Sequence, residues 1–336
     1  MSDLEFAHLV RLSDDTGLHE HADGPLPRRE HGYCLDDVAR GLVVLHREPD
    51  LPADLAALAE HYLAFTAYAQ AEDGRFHNRL SPDRRWLDEP GLGDWWGRAL
   101  WGLGTTAARS TVPAIQQAAL ACFDRGAHHR PPSVRTMAFA ALGAAEVLDA
   151  DPLHASATAL LGDITSYIGA PRPDENWPWP ENRLFYANAA LPEALIAAGD
   201  LLGSDEVRDD GLRLLDWLLT VESRDFHLSP VPTGGWFLGE PRPAFDQQPI
   251  EAAAMADACA RAYRVTSDPA WLAGVHRAIA WFSGDNDLGS LMQDEHTGGG
   301  YDGLTPTGPN TNQGAESTLA LLSTRQHLRT LLRSTG

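Results

Sequence analysis

The chain is 336 residues long and 43% hydrophobic, enough to bury a sizeable core, and it sets 26 basic against 47 acidic residues for a net charge of −21. That excess repels nucleic acid and anionic membrane surfaces, and no basic patch with interleaved aromatics offsets it. There is no lysine, which excludes a Schiff-base lysine, lysine-bound pyridoxal phosphate and the phosphate-loop lysine.

The 3.6-residue period of apolar side chains predicts helices over roughly 2–13, 33–48, 52–71, 94–109, 111–127, 132–149, 153–169, 184–202, 204–222, 248–265, 268–283 and 313–331. The helices starting at 33, 94, 132, 184, 248 and 313 are small and apolar nearly all round, as in the run from Ala138 to Ala145. Such helices touch neighbours on most sides and are predicted to be inner. The alternating helices carry more charge and are predicted to be outer. Helix starts have local support: Asp151-Pro152 and Asp268-Pro269 place an Asp at the cap and Pro at the first helical position, and Ser204 precedes Asp205 and Glu206. No Gly/Ser- or Pro-rich linker interrupts the pattern, so one domain is expected over 1–336. The fold class is all-α: six helical hairpins closed into an (α/α)6 toroid, with short β-hairpins or loops at the mouth. The irregular long connectors argue against an open solenoid.

Each inner helix follows a polar, aromatic-rich start, and the six starts are expected to converge on one mouth. The first supplies Tyr33, Asp36, Asp37 and Arg40. Adjacent helical residues point about 100° apart, so Asp36 and Asp37 diverge. Asp36 and Arg40, spaced i,i+4, can pair, leaving Asp37 for the cavity or for Arg98. The second start carries Asp94, Trp95, Trp96 and Arg98; Trp beside Asp suits stacking a sugar ring and orienting its hydroxyls. The third and fourth offer Arg135, Tyr186 and Asn188. The fifth, Asp246-Gln247-Gln248-Pro249-Ile250-Glu251, combines carboxylates with amides that both donate and accept, as vicinal hydroxyls require. The sixth gives Asn312, Gln313 and Glu316, an acid among small apolar residues whose burial would raise its pKa. Trp177, Trp179 and Trp236 in the connectors form candidate aromatic walls. For each of these residues the competing reading is structural: a helix cap, an ion pair or loop packing.

Other chemistries find less support. His19, His21, His31 and Cys34 lie close in sequence but match no zinc-ligand spacing, so no metal or cofactor is expected. The Gly298–Gly300 run lacks phosphate-loop context, and no Gly-x-Ser-x-Gly motif supports a serine nucleophile. The three cysteines, Cys34, Cys122 and Cys259, are odd in number and widely spaced, which fits a reducing cytosol. Residues 1–5 show no signal-peptide pattern, and no run of about 18 apolar residues predicts a membrane span. A cytoplasmic protein is expected.

The six-hairpin pattern resembles the (α/α)6-toroid six-hairpin glycosidase superfamily along nearly the whole chain. Tyr33-Cys-Leu-Asp-Asp-Val-Ala-Arg40 and Asp246-Gln-Gln-Pro-Ile-Glu251 resemble a subgroup found beside bacterial glycosyltransferases. The resemblance implies a glycoside hydrolase, or a phosphorylase-like relative, acting on an oligosaccharide or glycan precursor, with glycosyltransferase pathway proteins as partners and two carboxylates as acid and base or nucleophile. The expected pair is one acid from Asp36, Asp37 or Asp94 opposed by Glu251 or Glu316. A separation of about 6.5–9.5 Å would imply inversion and about 5–5.5 Å retention. The alternatives are a sugar epimerase or isomerase, which would lean on histidines that the inner starts lack, a polysaccharide lyase, and a non-catalytic glycan-binding scaffold.

Overall fold

The computed structural model describes residues 5–334. The helices are α1 (Ala7–Leu12), α2 (Leu35–Arg47), α3 (Ala53–Ala69), α4 (Asp94–Arg109), α5 (Pro113–Gly126), α6 (Val134–Ala150), α7 (Ala155–Ile168), α8 (Ala190–Leu202), α9 (Asp205–Val221), α10 (Pro249–Thr266), α11 (Pro269–Phe282) and α12 (Ala315–Ser334). Residues 2–4 of the expected first helix lie outside the described residues. Each even-numbered helix packs on the next, and α12 returns to α2, closing an inner ring. The odd-numbered helices pack outside it, α1 against α12. This is the expected (α/α)6 toroid.

Small residues let the inner ring close. At Gly104 of α4 an added Cβ would sit 2.2 Å from the Gly143 carbonyl oxygen of α6, and at Gly143 one would sit 2.3 Å from that of Leu100. The two backbones therefore meet at a distance only glycine permits.

Most helix starts fall within two residues of expectation, while the start of α8 and the cap of α7 depart from it for reasons the connectors show. α8 begins at Ala190 because Arg183–Leu184 pairs as a strand with Trp236–Phe237 and Ala187 has a positive φ of 45°, so no helix can run through 184–189. α7 begins at Ala155, capped by His154, because the Asp151 carboxylate turns back to accept from the Leu153 N–H. Asp268 and Ser204 do cap α11 and α9.

Five short two-stranded ladders decorate the connectors. Tyr33–Cys34 pairs with Arg79–Leu80, and Gly303–Thr305 with Gly308–Asn310. The Tyr33–Cys34 ladder and the pairing of Arg183–Leu184 to Trp236–Phe237 tie different connectors to one another at the end of the ring where the inner helices begin, while the Gly303–Thr305 ladder closes a hairpin within its own connector. Among the described residues no helix is long and apolar enough to cross a membrane, and none of the three cysteines is in a disulfide.

Candidate active site

At the start of α2 the expected Asp36–Arg40 pair is present at 2.8 Å. Arg40 also holds Asp37 and Glu316, each at 2.7 Å. One guanidinium thus serves three carboxylates from two helices. Arg98 of α4 reaches Asp36; the expectation that Asp37 would be left for Arg98 is corrected. Asp37 is 2% exposed. Its burial pushes the carboxyl pKa up to about 7, against the pull of Arg40 and with added repulsion from Asp36 and Glu316. Arg40 and Arg98 together hold its neighbour Asp36.

Around this cluster lies an open polar cavity of about 610 Å³. From α4 come Asp94, which accepts from the Thr136 hydroxyl, and Trp95, whose indole N–H donates to the Phe76 carbonyl at 2.8 Å and so fixes its ring in the wall. Tyr186 enters from the connector before α8, with its hydroxyl buried and unpartnered. Gln248 enters ahead of α10, and Glu316 from α12.

Several lining residues escaped the sequence reading: Glu20, His21, Asn78, Arg79 and Asp302. Glu20 pairs with Arg79, and His21 Nε2 lies 3.6 Å from the Glu20 carboxylate. Asp302 accepts from the Gly314 N–H at 2.9 Å and the Ser317 hydroxyl at 2.6 Å, and burial raises its pKa. Two weak signals pointed this way. His21 stood out only in the search for metal ligands, and Asp302 follows the Gly298–Gly300 run that was set aside as a phosphate loop.

Glu20, Cys34 and Asp37 offer ligand atoms within 4.8 Å of one another. The donor set does not suit a metal. Burial holds the Cys34 thiol well above its usual pKa, it donates to Asn78 Oδ1 at 3.4 Å, and Asp37 is already engaged by Arg40.

Other expected site residues are built into the scaffold. Tyr33 is buried and donates to Asp14 at 2.8 Å. Arg135 pairs with Glu181 at 2.9 Å and donates to the buried Asn188 at 3.0 Å. Trp177 and Trp179 are packed inside, and Trp236 meets Trp177 edge-on, ring centres 5.0 Å apart. Gln247 accepts from Trp281 Nε1 at 3.0 Å, Gln313 from the Thr297 hydroxyl at 2.6 Å, and Asn312 from the Gly24 N–H at 3.0 Å. Asp246 is exposed outside the cavity lining. Glu251, expected across the mouth, is 3% exposed and takes the N–H groups of Ala187 and Asn188. It clamps the connector into α8 instead of facing the cavity. Burial, opposed by those two N–H groups, raises it to about 7. Its neighbour Glu222, which accepts from the Val231 N–H at 3.1 Å, is raised to about 8 by burial and by Glu251.

The architecture is an (α/α)6 toroid, a fold the chain shares with solved sugar epimerases and glycoside hydrolases. Similar solved structures include a sugar epimerase from a ruminal bacterium (TM-score 0.74, 14% identity, 99% of this chain and 96% of that one). The cellobiose 2-epimerase of Bacillus thermoamylovorans is similar too (TM-score 0.73, 12% identity, 97% and 95%), as is the GH76 α-mannanase of Bacteroides thetaiotaomicron (TM-score 0.66, 10% identity, 96% and 93%). At such identities the likeness is one of fold. No family profile matches the chain, and no curated protein does.

Proposed function

We propose that the chain is a carbohydrate-active enzyme of glycoside-hydrolase type working in the polar mouth. The observation that carries this reading is Asp37: a buried carboxyl with a pKa of about 7 on the floor of an open cavity, beside further acids. A general acid at neutral pH needs that property. Asp37 would give its proton to the glycosidic oxygen as the bond to the anomeric carbon breaks. Asp94 or Glu316 would take a proton from the water that adds to that carbon. Trp95 and Tyr186 offer ring faces and edges to the sugar; Asn78, Arg79 and Gln248 offer hydroxyl partners. A cytoplasmic setting near glycosyltransferase pathway proteins accompanies this reading, in keeping with the three unpaired thiols.

One observation favours a second reading, a sugar epimerase or isomerase. His21 lines the mouth next to Glu20 and could lift a proton from carbon, and two of the similar structures are named as epimerases.

A panel of mono- and disaccharides followed by nuclear magnetic resonance in D2O separates the two. Cleavage without deuterium at carbon 2 is expected for the hydrolase. Deuterium uptake at that carbon with no cleavage would replace it by the epimerase. Binding that survives Asp37→Asn, with no turnover by either protein, would leave a non-catalytic glycan-binding scaffold.

A further inference from the structure

Beneath the mouth, along the toroid axis, runs a second and narrower cavity of about 50 Å³. Its wall is apolar, with Val44 of α2, Trp101 of α4, Phe139 of α6, Ala254 of α10 and Leu319 of α12 among its residues. It meets the mouth at Arg40, Arg98, Ile250 and Glu316, which line both spaces. At the far end stand Glu193 and Asp257, paired with Arg261 at 3.1 Å and Arg47 at 2.8 Å.

Close-packed interiors leave few voids larger than a water, and this axial cavity is larger than one. Alanine at 254 leaves space that a longer side chain would fill. Water needs two to four polar partners, and Val43, Val44, Phe139, Leu142 and Leu319 along this wall offer it none. At the junction Arg98 is 4% exposed, its guanidinium carbon 4.6 Å from the centre of the Phe139 ring, and its Nε has no hydrogen-bond partner.

We propose that this bore is a subsite for an unbranched alkyl substituent on the sugar held in the mouth, so that the ligand is an amphiphile with its polar head among the acids and its chain on the axis. The proposal rests on the carbohydrate reading of the mouth. The head group and the chain meet at the Arg40–Arg98 level, where both cavities share their walls.

The test is calorimetric titration with methyl, butyl, hexyl and octyl β-D-glucopyranoside, below micelle-forming concentrations, and in parallel with 1-butanol and 1-hexanol. Affinity is expected to rise by up to about fourfold per methylene and then level off once the bore is filled. Ala254→Leu should drive the octyl-to-methyl affinity ratio towards one, and Val44→Ala should move the levelling to a longer chain. A flat series in the unmodified protein, or a series that Ala254→Leu leaves unchanged, overturns the subsite. Methyl glucoside binding with a flat series would keep the sugar reading and remove the bore. Alcohols that match the glucosides in affinity and respond to Ala254→Leu would keep the bore and remove the sugar reading.

Discussion

The two ends of the inner ring both bury charge, and they do so in opposite ways. At the base, arginines and acids pair: Arg47 with Asp257, Arg109 with Glu146, Arg261 with Glu193 and Arg264 with Asp149. At the mouth, Arg40 is divided among Asp36, Asp37 and Glu316, and Asp94 and Asp302 have no cation within ion-pair distance among the described residues. Desolvation pushes Asp37, Glu146, Glu193, Asp257 and Asp302 towards the neutral form; what differs is compensation. Burial would raise Asp257, but Arg47 and His327 outweigh it and hold the carboxyl far below its usual range. Arg109 and Arg47 do the same for Glu146. Asp37 is left at about 7. Glu193 stays raised by burial although Arg261 pairs with it, so a pair locks an acid only where the cations outweigh desolvation.

The largest effect separating the ends is expected for Asp37→Asn. Turnover of whichever sugar the screen identifies should fall by about 10²–10⁴-fold, with sugar affinity within a few-fold of the parent. A variant of undiminished rate would place the acid elsewhere.

At the base, Asp257→Asn should destabilise the protein by about 3–5 kcal/mol in urea unfolding, because Arg47 and His327 lose their buried counter-ion. Sugar affinity at the mouth should stay as it was. A loss well below 1 kcal/mol would mean that the base is not a lock.

The pH dependence of stability sharpens the contrast. Asp37, Glu222 and Glu251 have raised folded pKa values of about 7, 8 and 7. Their contribution is therefore full below the unfolded values near 4 and is lost as pH rises through 7–8. Asp257 and Glu146 are lowered, so theirs is present above the unfolded values and is lost in acid. Unfolding free energy followed from pH 4 to 9 should decline on the alkaline side, and Glu222→Gln should remove part of that decline, on the order of 1 kcal/mol. An unchanged decline would remove Glu222 from the account.

The smallest effect belongs to neither end's charge. Ser133 accepts from the Thr136 N–H at 3.3 Å and caps α6. Ser133→Ala should cost about 1 kcal/mol in thermal or urea unfolding with no change in the pH profile.

The ring was legible in the sequence because its signal is local: alternating apolar and amphipathic helices with capped starts. Asp36, Asp37, Arg40, Asp94, Trp95, Arg98 and Glu316 were legible too, since helical geometry places the opening turns of α2, α4 and α12 at the mouth. The misplaced residues share a different cause. Glu251 also sits in an opening turn, but positive φ at Ala187 delays α8 and leaves N–H groups that Glu251 satisfies, so the demand came from another segment. Gln247, Gln313, Asn188 and Arg135 were likewise taken up by loop backbones or neighbouring side chains, and Trp177 and Trp179 by the core. Glu20, His21, Arg79 and Asp302 reach the mouth through connectors whose course is set by long-range strand pairing, which no periodicity records.

The parallel run of the inner helices has an electrical consequence. Each helix carries roughly half a positive elementary charge at its start and half a negative one at its end, and the six starts face the mouth. The acids Asp36, Asp37, Asp94, Glu251 and Glu316 occupy opening turns, whereas Arg47, Arg109 and Arg264 occupy closing turns. The side chains thus oppose the backbone's own polarity at both poles, and a chain of net charge −21 can gather carboxylates at one pole with the backbone field holding them there.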